Sequence, residues 1–329
     1  MWRSVAAQLR RELPEASVAA LAAGLSVTPG AIARAVRATE EEGALDGEAL
    51  GEQLARAARA TMSHELEKLA ERVEAGLRWE DAVLPDELRE AVQEVIAHAR
   101  HREQVLKGWG FGDKLPYGRG LSCLLSGPPG TGKTMLAGLL ARALGRPLYR
   151  VDVSRLVSKW LGETEKNLAA LFREAARAQA ILLFDEADSL FAKRTEVKSS
   201  QDRHANLEVN FLLQQMESFD GVTILTTNLD KGIDEAFLRR LRFRLHVGTP
   251  SEVERARLWR AMIPARAPLA GDVSFEALAR ALPLSGGHIK NAVVRAAFRA
   301  AAEGSALTHD ILYDSAAAEA RENGMLVRA

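Results

Sequence analysis

Apolar residues along this chain change their spacing twice. From Glu48 to Val105 they recur three and four positions apart between charged residues, which predicts one helix after another. The stretch from Trp109 to Gly120 (WGFGDKLPYGRG) breaks that rhythm with four glycines and a proline, and reads as a loop entering a new unit. Beyond it the apolar residues gather into short runs: LSCLLS at 121–126, PLYRVDV at 147–153, AILLFD at 180–185, VTILTT at 222–227 and FRLHV at 243–247. Runs this apolar suit strands covered on both faces. With helical spacing between them, they predict a five-stranded parallel sheet in a doubly wound α/β layer. After Thr249-Pro250 the helical spacing returns, which predicts a helical C-terminal subdomain of about 80 residues.

The chain also resembles itself. Trp2-Arg3 and Trp259-Arg260 lie 257 positions apart, and at that offset LAAGLSVTPGAIARAV (21–36) falls on LARALPLSGGHIKNAV (278–293). Leu21, Ala22, Leu25, Gly30, Ile32, Ala35 and Val36 are identical to their counterparts. An ungapped match with a shared glycine ahead of an amphipathic helix suggests duplication, and two Ala/Leu-rich helices agreeing by composition is the alternative. On the first reading the chain opens inside a copy of its own C-terminal subdomain.

Composition narrows the classes. At 329 residues, with 47% hydrophobic and 27% charged, this is an ordinary globular chain of about two domains, and bulk disorder is excluded. Forty-four basic residues balance 44 acidic ones, so there is no global attraction to nucleic acid or to an anionic membrane. Apolar runs stop well short of the roughly 18 residues a membrane span needs. The opening MWRSVAAQLRRELPE has no apolar signal region, and the lone Cys123 excludes an internal disulfide or a cysteine metal cluster. The expected location is the cytoplasm.

The strongest chemical signal is Gly127-Pro128-Pro129-Gly130-Thr131-Gly132-Lys133-Thr134, which follows a predicted strand and opens a predicted helix. That context is what a phosphate-binding loop requires: glycines let backbone N–H groups converge on phosphate oxygens, and the helix N-terminus adds positive partial charge. Lys133 is placed to reach the β- and γ-phosphates of a nucleotide, and the Thr134 hydroxyl to ligate Mg²⁺. About fifty residues on, Ile181-Leu182-Leu183-Phe184 runs into Asp185-Glu186 at the carboxyl end of a strand, where such sheets bind ligands. Asp185 fits the role of holding Mg²⁺. Glu186 fits that of orienting and deprotonating an attacking water, an effect worth about 10²–10⁴ in rate. The seven histidines show no metal-ligand spacing.

These two motifs together resemble the AAA+ ATPases, and the resemblance assigns further residues. Asn228, closing Thr226-Thr227-Asn228 at the end of the fourth run, stands where the family senses the γ-phosphate. The segment Ile233 to Phe243 (IDEAFLRRLRF) resembles the family's second region of homology, whose two arginines project into a neighbouring subunit's nucleotide site. By register these are Arg239 and Arg242. Leu241 and Arg244 depart from the family's glycine and aspartate, which leaves open which of Arg239, Arg240 and Arg242 points across. Gly287-His288-Ile289-Lys290 resembles the second sensor, with Lys290 as its charge; the repeat carries Ala33 there. Lys159-Trp160-Leu161-Gly162 resembles the pore loop that grips polypeptide, and RTEVKSSQDR (194–203) a second pore loop.

Several stretches resemble a narrower branch, the ATPase encoded with phage-tail-like extracellular contractile injection systems. They are WEDAVLP (79–85), WGFG (109–112), GRGLS (118–122), SKWLGETEKNL (158–168) and FAKRTEVKSSQDRHANLEVNFLLQQME (191–217). The resemblance implies a P-loop AAA+ core of αβα layers at 79–248 and a helical lid at 249–329. Ahead of them it implies a linker at 46–78 and a lid-like remnant of an upstream unit at 1–45. It further implies ATP and Mg²⁺ as ligands, a homo-oligomeric ring of six, and a protein substrate. No nucleic acid or membrane partner is expected. A nucleotide-dependent assembly switch is the alternative, and a DNA-remodelling ATPase is a weaker one without a basic stripe to support it.

Overall fold

The five apolar runs are strands, and a sixth strand joins them where the spacing predicted helix. The computed structural model describes residues 29–43, 47–74, 76, 78–114, 120–152, 163–188, 200–229, 233 and 235–325, with 2, 4, 14, 15, 17, 18 and 21 ahead of them. The strands are β1 (Glu71–Val73), β2 (Leu121–Ser126), β3 (Leu148–Val151), β4 (Ile181–Phe184), β5 (Val222–Thr227) and β6 (Phe243–His246). They form one sheet in the order β1-β3-β4-β5-β2-β6. β2 to β6 are mutually parallel, as expected. β1 is antiparallel on the outer edge of β3, with Glu71 opposite Arg150 and Val73 opposite Leu148. The sheet therefore has six strands rather than five. β1 is invisible in the spacing because only Val73 of its three residues is turned toward the core, and three residues cannot display a period of two.

Side chains of the central strands alternate between two helical layers. Leu121, Cys123 and Leu125 of β2, Ile181 and Leu183 of β4, and Ile224 of β5 pack under α3 (Asp86–Glu103) and α4 (Lys133–Ala143). Leu124, Leu182, Phe184 and Leu225 face the other way, against α5 (Glu163–Ala178) and α6 (Ser200–Ser218). Every residue of β4 and its neighbour Ala180 is wholly inaccessible. With both faces covered, each large aliphatic side chain contributes about 1.5–3 kcal/mol of burial, which explains why these runs carry no polar alternation.

A second unit follows the sheet: α7 (Glu252–Met262), α8 (Phe275–Ala281), α9 (Gly286–Glu303) and α10 (His309–Glu322). All four open on a hydroxyl that accepts a backbone N–H from the first turn: Ser251, Ser274, Ser285 and Thr308. Such caps contribute about 1 kcal/mol each. Trp259, Leu278, Ile289 and Leu312 are fully buried between the helices.

The N-terminal helices α1 (Pro29–Glu42) and α2 (Gly47–Glu67) pack together with Trp2 and Leu21 around Ile32, Leu50 and Leu54. Burial at the two ends of the chain coincides at the offset of the sequence repeat. Trp2 and Trp259, Leu21 and Leu278, Ile32 and Ile289, Ala35 and Ala292, Val36 and Val293, and Leu50 and Leu307 are all buried. α1 begins at Pro29 and α9 at the corresponding Gly286. The far end of α2 enters the sheet's own core through Leu66.

Candidate active site

The P-loop is shaped by what its neighbours leave no room for. Gly127, Gly130 and Gly132 all have positive φ (141°, 74° and 97°), a region that L side chains rarely adopt. A Cβ on Gly127 would also lie 2.1 Å from the Val247 carbonyl oxygen, so this position excludes any side chain twice over. Thr131 Oγ1 donates to the Pro128 carbonyl at 2.9 Å and closes the loop, with Pro129 exposed at its tip. α4 then begins at Lys133.

Lys133 is buried, and its ammonium group is saturated with oxygen: it donates to the carbonyls of Gly127 (2.7 Å) and Pro128 (2.8 Å) and to Asn228 Oδ1 (2.8 Å). A buried cation needs such partners, and the more negative oxygens of a phosphate can replace them. Next to it, Thr134 Oγ1 lies 3.1 and 3.2 Å from the two oxygens of Asp185. A hydroxyl and one carboxylate on adjacent elements fit Mg²⁺, which keeps most of its coordination for water and nucleotide phosphates. Among the described residues no three His, Cys, Asp or Glu side chains converge into a cage for a metal held by protein alone.

Two residues that the motifs did not single out hold this arrangement. The Thr226 hydroxyl, at the end of β5, donates to Asp185 Oδ1 at 2.6 Å and accepts the backbone N–H of Glu186 at 2.9 Å. One buried oxygen thus fixes both acidic residues. Asp188 accepts from the Thr227 hydroxyl and from the Asn228 backbone N–H (3.0 Å), which positions Asn228 beside Lys133. Glu186 has φ +51°, one of two non-glycine residues with positive φ among those described. A strained backbone of this kind costs of order 1–3 kcal/mol and persists where the surroundings over-determine it. Its side chain is exposed at the mouth of the site.

The second unit reaches the P-loop through the start of α9. Gly287 N–H donates to the Gly130 carbonyl at 2.8 Å, and a Cβ on Gly130 would meet Ser285 Oγ at 2.6 Å. Ser285 Oγ also lies 3.1 Å from His288 Nδ1. The residues laid against the loop are therefore Ser285 and Gly287, whereas Lys290 is exposed one turn further along.

The three neighbouring arginines stand elsewhere. Arg242 donates its backbone N–H to the carbonyl and hydroxyl oxygens of Ser122, at the start of β2, while the P-loop follows its end. Five residues of strand separate the two levels by about 16 Å. Arg240 is paired with Glu217 of α6 at 2.9 Å. Arg239 is 79% exposed, with Glu235 3.4 Å away, and Arg242 is exposed as well. A cavity of about 280 Å³ opens at this edge between Met216, Glu217 and the arginine turn. Lys159, Trp160, Leu161 and Gly162 lie outside the described residues, as does 194–199 of the second pore-loop stretch.

A glycine loop between β2 and α4, with acidic residues at the end of β4 and Asn228 at the end of β5, defines a P-loop nucleoside triphosphatase. The family model described as "ATPase family associated with various cellular activities (AAA)" matches residues 123–251. The match places an AAA ATPase domain on the sheet from β2 to β6. It is 35% identical over 217 residues to the ATPase family AAA domain-containing protein FIGL1 of Arabidopsis thaliana, covering 64% of this chain and 30% of that one. It is 38% identical over 189 residues to the proteasome-activating nucleotidase of Aeropyrum pernix (55% and 46% covered). Over 192 residues it is 31% identical to the vacuolar protein sorting-associated protein 4 of Dictyostelium discoideum (57% and 41% covered). The chain thus spans less than half the length of each of these relatives. Among the described residues no helix is long and apolar enough to cross a membrane.

Proposed function

We propose that this chain hydrolyses MgATP at sites shared between neighbouring copies of a ring, and uses the cycle to remodel or thread a protein. The observation that carries the reading is the division of the arginines from the phosphate loop along β2. Lys133, Thr134, Asp185, Glu186 and Asn228 sit at the carboxyl edge of the sheet, and Arg239 and Arg242 at the opposite edge. That division supports an arginine acting on a nucleotide held by another copy.

In this account the P-loop amides and Lys133 bind the phosphates, and Thr134 and Asp185 hold Mg²⁺. Mg²⁺ held there would supply positive charge to offset that of the phosphates. Glu186 accepts a proton from water as its oxygen attacks the γ-phosphorus and the bond to the departing ADP oxygen breaks. Asn228, released from Lys133, orients the water and the γ-phosphate. Arg239 or Arg242 of the next copy stabilises the transferring group, an effect worth about 10³–10⁵; pairing with Glu217 keeps Arg240 for structure.

Protein as the substrate is supported by relatives named for proteasome activation and for vacuolar protein sorting, and by the Trp160-Leu161-Gly162 pattern. The resemblance of WEDAVLP and SKWLGETEKNL supports service to a contractile injection system, with a ring of six. The coinciding burial of Trp2 with Trp259 and of Leu50 with Leu307 supports reading the N-terminal helices as a copy of the lid. Its counterpart of Lys290 is Ala33, so that copy lacks the second-sensor charge. The test is Glu186→Gln, which retains ATP and stops turnover; wild-type turnover in that variant removes Glu186 from the mechanism.

A further inference from the structure

At the end of α4 farthest from the P-loop, arginines gather without carboxylate partners. Elsewhere in this chain of 44 basic and 44 acidic residues, many arginines stand beside an acid: Arg102 beside Asp220, Arg150 beside Glu71, Arg240 beside Glu217, Arg280 beside Glu252 and Arg295 beside Glu322. Arg72, Arg78 and Arg146 make no ion pair and no side-chain hydrogen bond among the described residues.

Basic residues at a helix C-terminus ordinarily answer its negative end. Here that need is already met. Arg100 of α3 donates to the Ala143 carbonyl at 2.7 Å, and the N–H groups of Gly145 and Arg146 turn back onto the carbonyls of Arg142 and Ala141. The guanidinium of Arg146 is therefore not a cap. It is half-buried, and burial first, then the charge of Arg102, hold its pKa below the ordinary value. A cation withdrawn from water without a counter-charge is costly, and an anion beside it removes that cost.

Two cavities meet at Arg142. One, of about 380 Å³, opens between Arg72, Arg142 and Arg146, with Val73 and Pro147 in its wall. The other, of about 360 Å³, opens between Arg78, Arg142 and Trp79. Together they make an elongated groove with four guanidinium groups along it and apolar ground between them. The 11 residues of α4 put this groove about 15 Å from the phosphate loop, so it is separate from the nucleotide site.

We infer that the groove binds an extended segment of another protein bearing two or more carboxylates. A guanidinium fork takes a carboxylate through two parallel hydrogen bonds, and two cavities suit acidic side chains that recur along a chain. Trp79, Val73 and Pro147 suit apolar side chains between them. Glu74 and Glu80 also line the cavities and would repel the unbroken charge of a phosphate backbone, whereas a peptide can place its carboxylates at the arginines alone. β1, which contributes Arg72 and Val73, is the outermost strand, and its second edge is unpaired among the described residues. That edge offers backbone groups to an extended chain. The inference does not depend on the shared-site reading given above.

Fluorescence anisotropy of a labelled peptide alternating glutamate and leucine, titrated with the full chain, tests this. The wild-type chain binds it, and added salt weakens the binding. Arg72→Gln/Arg146→Gln weakens it by about 10-fold or more and leaves thermal melting and basal ATPase unchanged, since neither side chain has a partner to lose. Arg299→Gln, which removes an arginine already paired with Glu303 and Asp314, leaves peptide binding as it was. A wild-type chain that does not bind the peptide overturns the inference, as does equal binding by the double variant. Tighter binding of a single-stranded oligonucleotide of the same charge overturns it too, and assigns the groove to nucleic acid.

Discussion

Thr226 is the residue on which the two acidic groups depend, and Thr226→Val isolates that dependence. Valine keeps the shape and the strand preference of threonine, so β5 remains paired with β2 and β4. What disappears is one hydroxyl that is 1% exposed, its 2.6 Å bond to Asp185 and its 2.9 Å bond from the Glu186 N–H. A hydrogen bond to a charged group contributes about 1.5–3 kcal/mol, and an orphaned N–H costs about 1–3 kcal/mol. The variant is thus expected to lose about 2.5–6 kcal/mol of stability. The effect on rate follows from position: groups that orient a metal ligand are worth about 10–100-fold, and Thr226 orients both Asp185 and the backbone of Glu186. Steady-state ATPase measured against Mg²⁺ should show a rate lowered by about 100-fold and half-saturation moved to higher Mg²⁺. Thr226→Ser restores most of both, since it restores the oxygen. A Thr226→Val protein that is less stable yet turns over normally at low Mg²⁺ would refute the reasoning, because the hydroxyl would then be structural alone.

Other expectations follow from the same geometry. Glu186→Gly relieves a left-handed backbone costing about 1–2 kcal/mol and adds about 0.5–1 kcal/mol of chain entropy to lose; net stability rises by up to about 1.5 kcal/mol while ATPase is abolished, and a lower melting temperature would contradict the strain. His98 is partly buried edge-on to Phe243 at 5.4 Å, and burial first, then the Arg242 and Arg102 charges, hold its pKa below the ordinary value. The unfolded chain therefore binds this proton more readily. Stability is full above the unfolded pKa of roughly 6.5 and falls as pH drops below it. Melting curves from pH 7.5 to pH 5.5 should show this fall, and His98→Phe should show less of it. An equal fall in both proteins would acquit His98.

The parts of this molecule legible in its sequence are those where physics leaves few alternatives. Strands covered on both faces must be apolar throughout, so Ile181–Phe184 and Leu121–Ser126 stand out. A phosphate loop must carry glycines, because Gly127 has no space for a side chain. β1 escaped notice because three edge residues held by an Arg150–Glu71 pair leave no periodic trace. Thr226 and Asp188 were hidden for another reason: a threonine in a strand reads as strand preference, and an aspartate after one reads as a helix start. Their roles exist only once β4 and β5 are side by side. The family resemblance assigns Lys290 to the γ-phosphate, and what the sequence did not mark is that Ser285 and Gly287, one turn earlier, meet the P-loop. The order of the arginines likewise needed Glu217, 23 positions before Arg240, to show which one is tied inward.

The central claim is that each catalytic site takes residues from two copies, and mixing defective copies tests it most directly. Glu186→Gln protein and Arg239→Ala/Arg242→Ala protein are each inactive alone. In a mixture, a site is complete wherever an arginine-deficient copy supplies the P-loop and Glu186 and its neighbour supplies the arginines. With equal amounts and random order, about one interface in four qualifies in a head-to-tail ring. The account predicts that mixing restores about a quarter of the wild-type ATPase rate. A mixture no more active than its two components measured separately would contradict it.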